Sequence, residues 1–160
     1  MTSATAFRLS AAFGFLAVAL GAFGAHGLKD TLTQNDTLAV WQTAALYHLV
    51  HSAVMLAVAL GAFGAHGFHD LLEKNGRLAT WETAVLYHLT HAVVLLLIAT
   101  LRPLRAAAWW LMLAGIVIFS GTLYVLALTN VKWLGAITPL GGVCLLAGWL
   151  ALAFGKAGEK

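Results

Sequence analysis

Five long apolar runs constrain the fold of this chain more than any other feature of its sequence. A helix rises about 1.5 Å per residue and the hydrocarbon layer of a membrane is about 30 Å thick, so a crossing needs about 20 mostly apolar residues. The runs of this kind cover residues 7–27, 41–66, 81–101, 106–128 and 134–154. Their only charged residues are Arg8 and Glu82, each at the second position of its run. The pattern predicts five transmembrane helices.

The composition leads to the same class of protein. Of 160 residues, 61% are apolar and 9% are charged, whereas about a quarter of a soluble domain is charged. The net charge of +3 does not indicate nucleic acid, because the nine basic residues are scattered in or beside the gaps between apolar runs. We therefore predict an all-α integral membrane bundle, with residues 1–160 forming a single transmembrane domain in the lipid bilayer of the inner (plasma) membrane.

A tandem repeat occupies the first part of the chain. Residues 16–55 (repeat one) align without a gap with residues 56–95 (repeat two), and 26 of the 40 aligned positions are identical. The second apolar run, 41–66, joins the end of repeat one to the start of repeat two and is long enough for one crossing only. Each repeat then carries an odd number of crossings, which predicts that the two copies have inverted topology.

The segments between the runs predict the remaining local structure and the orientation. Residues 28–40 and 67–80 are polar with leucines a few residues apart, which is typical of short helices in the headgroup layer. Thr138-Pro139 resembles an N-cap followed by a first helical residue, so we expect the last hydrogen-bonded helix to begin at Pro139. Five basic residues on the side of the C-terminus against four on the other predict a cytoplasmic C-terminus. The five are Lys29, Arg102, Arg105, Lys156 and Lys160, and the four are Arg8, Lys74, Arg77 and Lys132.

Histidine is the residue type here that could carry chemistry. The candidates are three repeat-related pairs: His48 with His51, His88 with His91, and His26 with His66. A spacing of three places the first two pairs on one helix face each, beside Tyr47 and Tyr87. They could bind a transition metal or haem or relay protons, or they could form hydrogen bonds between helices. Spans two and three run antiparallel in the inverted arrangement. If each histidine pair lies about two turns into its span, the two pairs lie in opposite leaflets, about 20 Å apart, which is too far for them to share one metal. We predict no catalytic residue, no bound metal and no cofactor.

Glycines at helical spacing predict close packing between helices. The run GAFGAHG lacks the pattern of a phosphate-binding loop and has no strand before it. Small residues let membrane helices approach each other closely. The glycines assigned to helix packing are Gly21, Gly24, Gly61, Gly64 and Gly121.

Four motifs in order resemble those of a known family. GAFGAHG, then W-x-T-A-x-x-YHxxH, then FSGTLY, then ITPLGG with a late GW are similar to those of the YgdD-like membrane proteins, the domain-of-unknown-function family 423. The resemblance covers nearly the whole chain and implies a small membrane protein without an established activity. It also implies about four spans and one copy of GAFGAH. This chain differs from that pattern because its segment 16–55 is duplicated.

Two functions from different classes follow from these observations. The first is a structural or accessory membrane protein that self-associates or is a subunit of a larger complex, which the small-residue faces favour. The second is a protein that handles a metal, haem or protons through its histidines.

Overall fold

The computed structural model describes residues 3–101 and 105–155, in which every regular element is a helix. The helices are α1 (Ser3–Ala25), α2 (Lys29–Gln34), α3 (Leu38–Ala62), α4 (His69–Lys74), α5 (Leu78–Thr100), α6 (Ala106–Thr129) and α7 (Leu134–Phe154), with a π-helical turn at Phe63–Gly67. Three of the basic residues that enter the predicted orientation lie outside the described residues: Arg102, Lys156 and Lys160.

The five predicted transmembrane helices are confirmed. In the described part of the chain, α1, α3 with its π-helical turn, α5, α6 and α7 are long and apolar enough to cross a membrane. The second apolar run, 41–66, lies in one continuous helical segment, Leu38–Gly67, and does not form two crossings. The links 28–40 and 67–80 each contain a short helix, α2 and α4, as their leucine spacing predicted.

Both short helices end in the same left-handed turn, which the Asn-Asp and Asn-Gly pairs provide. Asp36 has φ 54° and Gly76 has φ 63°. The amide of Thr37 then donates to the carbonyl of Leu32 at 2.8 Å, and the equivalent bond in the second link has the same length. These are the bonds of a Schellman motif, which satisfies the last carbonyls of a helix and turns the chain back towards the bundle.

The transmembrane helices pack as antiparallel neighbours in the order α1, α3, α5, α6, α7. Trp41 at the start of α3 donates to the carbonyl of Leu20 near the end of α1, and Trp81 makes the same bond to Leu60. The tips of these two hairpins therefore lie at opposite ends of α3. The main apolar core lies where α5, α6 and α7 meet, around the fully buried Met112.

The expected start of the last helix at Pro139 is wrong. α7 begins five residues earlier, at Leu134, and Thr138 lies inside it. The Thr138 hydroxyl bonds to the carbonyl of Leu134 at 3.2 Å and to the hydroxyl of Thr122 on α6 at 2.8 Å. Pro139 cannot donate to the carbonyl of Gly135 one turn earlier, a loss that membrane helices tolerate at proline.

Candidate functional site

A tryptophan over a glycine joins the two halves of each repeat. The indole Nε1 of Trp41 and that of Trp81 each donate a hydrogen bond of 3.0 Å to a leucine carbonyl in the preceding helix. The same indole rings lie so close to Gly24 and Gly64 that a Cβ on either glycine would collide with Nε1 and Cδ1. Each GAFGAHG run therefore provides a flat surface for the tryptophan in the first turn of the next transmembrane helix.

The tip of the second hairpin binds the end of α6. The side-chain amide of Asn75 donates to the carbonyls of Ala127 and Leu128, at 3.0 and 3.1 Å. Arg77 Nε donates to the side-chain oxygen of Asn130, which ends α6 in the left-handed conformation. An amide and a cation at these positions satisfy the unpaired carbonyls and the negative end of the α6 dipole.

His88 lies in an aromatic cluster between α5 and α6. It is buried, with 7% of its surface exposed, and its Nδ1 lies 3.4 Å from the Tyr124 hydroxyl. The Tyr124 ring contacts Trp81 edge-on, with ring centroids 4.8 Å apart. Tyr124 therefore connects His88 to the tryptophan that packs on Gly64.

Both ring nitrogens of His91 have hydrogen-bond partners. Nδ1 lies 2.9 Å from the carbonyl of Tyr87, and Trp149 Nε1 donates to Nε2 at 3.3 Å. A carbonyl only accepts and an indole only donates, so the neutral ring carries its proton on Nδ1. Coordination of a metal or haem iron by His91 would therefore require one of these bonds to break.

The equivalent histidines of repeat one have fewer partners. His51 Nδ1 lies 2.7 Å from the Tyr47 carbonyl, but the residue is exposed and its Nε2 has no partner among the described residues. His48 contacts the edge of Phe13 on α1, and its Nε2 is buried without a partner in the described part of the chain. The difference arises because α6 packs against α4, α5 and α7, so the partners that α6 and α7 supply reach repeat two.

The helices that carry the histidine pairs begin earlier than the predicted runs. α3 and α5 begin three residues before the predicted runs, so His48 and His88 are each the eleventh residue of their helix. At about 1.5 Å per residue they lie roughly 15 Å from the helix start. His88 is therefore near the middle of the 23-residue α5, whereas His48 lies about a third of the way along the 30-residue segment Leu38–Gly67. Within residues 3–101 and 105–155, no group of three or more His, Cys, Asp or Glu side chains could hold a metal ion.

The remaining candidate residues lie apart from this cluster. His26 and His66 are exposed at the ends of the first two spans. Gly21 faces Ala45 and Gly61 faces Val85 across the same antiparallel pairs. No atom of residues 3–101 or 105–155 lies within 4 Å of a Cβ at Gly121.

The closest glycine contacts between α6 and α7 were not predicted. The pairs are Gly115 with Leu145, Gly141 with the backbone of Phe119, and Gly148 with Met112. The i,i+7 spacing of Gly141 and Gly148 is the signal that could have revealed this face.

The fold and the buried polar cluster define a small multi-pass α-helical membrane protein. Comparison with known proteins then places it: the sequence profile of the family of proteins of unknown function DUF423 matches residues 20–60 and 60–142. The chain belongs to this family. The profile matches twice, and the two matches meet at residue 60, close to the boundary between the repeats.

Relatives in two bacterial genera are similar over most of their length. The UPF0382 membrane protein YwdK of Bacillus subtilis is 46% identical over 144 residues, which are 90% of this chain and 89% of the relative. A UPF0382 membrane protein of Staphylococcus epidermidis is 48% identical over 144 residues, 90% of this chain and 88% of the relative. One of Staphylococcus saprophyticus is 46% identical over 147 residues, 92% of each. No solved structure matches the chain significantly.

Proposed function

We propose that this chain is a non-enzymatic, self-associating protein of the inner (plasma) membrane, in which two copies bind through repeat one. The observation that carries the proposal is a difference between equivalent faces of the two repeats. The repeat-two face comprises Trp81, Ala84, His88, His91 and Leu95, and all five are buried. The repeat-one face comprises Trp41, Ala44, His48, His51 and Met55, and each of these is half-exposed or exposed.

The two faces differ because they have different neighbours, although their residues are similar. α6 and α7 cover α5, where they supply a hydroxyl near His88 and an indole N–H to His91. The repeat-one face carries no charged residue and has His51 Nε2 as an acceptor without a partner among the described residues. In a bilayer an unpaired polar group is costly, and interhelical hydrogen bonds contribute about 0.6 kcal/mol each on average.

A second copy of this chain is the occupant that fits this face. Two copies related by a twofold axis along the membrane normal would place α1 of one copy antiparallel to α3 of the other. α6 covers α5 in the same antiparallel relation. α1 has a broad apolar surface available for this contact, since Phe15 is 73% exposed and Val18 is 62% exposed. Ala44 gives the small residue that close helix approach requires.

Cysteine cross-linking at equivalent positions of the two repeats tests the proposal. In a Cys144→Ala background, Ala44→Cys places a thiol on the repeat-one face, and Ala84→Cys places one at the matched buried position. We expect a short bis-maleimide to convert Ala44→Cys, but not Ala84→Cys, to a covalent dimer in native membranes. Monomers for both variants, together with a single photobleaching step per particle for the unmodified protein, would reject self-association.

A further inference from the structure

A lateral groove opens between α5 and the α6–α7 hairpin, and none of its lining residues belongs to repeat one. Its volume is about 690 Å³, within the range of small-molecule sites. The rim consists of Leu86, Val143 and Leu146, each more than 60% exposed on the outer surface of the bundle. Such a groove is reached from the lipid phase and not from water.

The inner part of the groove is aromatic. Tyr87, His91, Phe119 and Trp149 line it. The Tyr87 ring stacks on His91 with an interplanar angle of 16°, and its centroid lies 4.5 Å from the centroid of the Phe119 ring. Gly142 leaves space in the wall, because a Cβ there would make only ordinary contacts with the Phe119 ring. Flat aromatic surfaces beside a residue without a side chain suit a planar ring.

Two hydroxyls in the groove lack hydrogen-bond partners in the part of the chain that the structure describes. Tyr87 and Thr90 both line it, and neither hydroxyl has a hydrogen-bond partner among the described residues. They are the tenth and thirteenth of the 23 residues of α5, so they lie near the middle of the span. A hydroxyl can donate to a carbonyl, and donors at this depth have no water to bond to.

This depth decides which lipid-soluble compounds fit. The ester carbonyls of a phospholipid are held near the headgroups, about half a membrane thickness from the middle of the span. A molecule whose ring carbonyls are its only polar groups can instead bring them to the centre of the bilayer. We propose that the groove binds a membrane-soluble, carbonyl-bearing ring compound of the isoprenoid quinone class, with Tyr87 and Thr90 donating to its carbonyls.

Repeat one provides the matched control. Tyr47 is the equivalent of Tyr87, but the equivalent of Thr90 is the buried Val50. Of the two groove-forming helices, α6 packs on α5 of repeat two and α7 packs on α6. Tyr47→Phe therefore removes the same hydroxyl from outside the groove. Thr90→Val introduces the residue that repeat one already carries at this position.

Calorimetric titration in nanodiscs of phosphatidylcholine tests the inference. The probe is a short-chain benzoquinone with one isoprene unit, and the control compound is the corresponding alkylbenzene without carbonyls. We expect saturable binding of one quinone per chain, a rise in Kd of about 2- to 10-fold for each of Tyr87→Phe and Thr90→Val, and no change for Tyr47→Phe. Gly142→Leu, which fills the groove, should abolish binding.

Three results would overturn the inference. They are heats equal to those of empty nanodiscs, equal affinity for the carbonyl-free compound, and saturable binding that neither hydroxyl variant weakens. The helical circular dichroism and the unfolding midpoint of each variant must match those of the unmodified protein. Thr90→Val preserves shape, so the test remains decisive if Gly142→Leu misfolds.

Discussion

At the residue scale, a glycine in each GAFGAHG run leaves the space that the indole ring of the following tryptophan occupies. A Cβ at Gly64 would collide with Trp81, which is only 2% exposed and enclosed by the ring of Tyr124. Gly24 has the same contact with Trp41, but Trp41 is half-exposed and can move towards lipid. Identical motifs therefore differ in how well they tolerate a methyl group.

We expect Gly64→Ala to lower the free energy of unfolding by about 1–3 kcal/mol, the usual cost of overpacking, and Gly24→Ala to lower it less. Reversible unfolding in mixed micelles, with increasing SDS, measures both. Gly121→Ala is the control, because no atom of the described residues lies within 4 Å of its Cβ position, and it should keep or gain stability, by up to about 1 kcal/mol for alanine in place of glycine inside a helix. Equal losses for all three variants would contradict the tryptophan contact as the cause.

The left-handed turns after α2 and α4 allow a second comparison of the two repeats. Gly76 adopts φ 63° without strain, and a Cβ there would meet no atom of the described residues within 4 Å. Asp36 adopts φ 54° although it carries a side chain. We expect Gly76→Ala to cost about 1–2 kcal/mol and Asp36→Gly to stabilise the protein slightly, since only the backbone conformation changes. Unfolding in the same SDS-containing micelles should show changes in the free energy of unfolding of opposite sign for the two variants. A lower free energy of unfolding for Asp36→Gly would contradict this explanation.

At the scale of elements, the contact between α4 and α6 is specific to repeat two. Asn75 bonds to two carbonyls at the end of α6, whereas Asn35 is exposed and no hydrogen bond of its side chain is seen among the described residues. We expect Asn75→Ala to cost about 1–2 kcal/mol and Asn35→Ala less than about 0.5 kcal/mol. Hydrogen–deuterium exchange should quicken in the last turn of α6 for Asn75→Ala only. Equal exchange in both variants would contradict the capping role.

The sequence predicts the helices well because their lengths follow from membrane thickness. Apolar runs locate the five spans to within a few residues, and the repeat identifies which histidines have equivalent positions. Two features escaped prediction for physical reasons. Thr138-Pro139 has the pattern of a helix start, but α7 already begins at Leu134 and contains Pro139. The partners of His88 and His91 come from α6 and α7, which lie outside the repeat and share no local signal with it.

At the scale of the whole molecule, the shared span α3 fixes the relation between the two repeats. The hairpin tips that contain α2 and α4 lie at opposite ends of α3, and each carries a polar, exposed surface. Because a single crossing separates the two tips, we expect them to face different aqueous compartments. The excess of basic residues on the α2 side, with Lys29 and Arg105 among them, predicts that this side is cytoplasmic.

Labelling with a membrane-impermeant maleimide tests this topology in a Cys144→Ala background. We expect Lys74→Cys on α4 to react in intact spheroplasts and Gln34→Cys on α2 to react only after permeabilisation. Reversed labelling would leave the inverted repeat intact but reverse the assigned orientation, because the two tips would still differ. Labelling of both thiols from one side would contradict the inverted arrangement itself, since it would require α3 to cross the membrane an even number of times or not at all. Ala84→Cys, buried in the bundle, is the control that should stay unlabelled in either preparation.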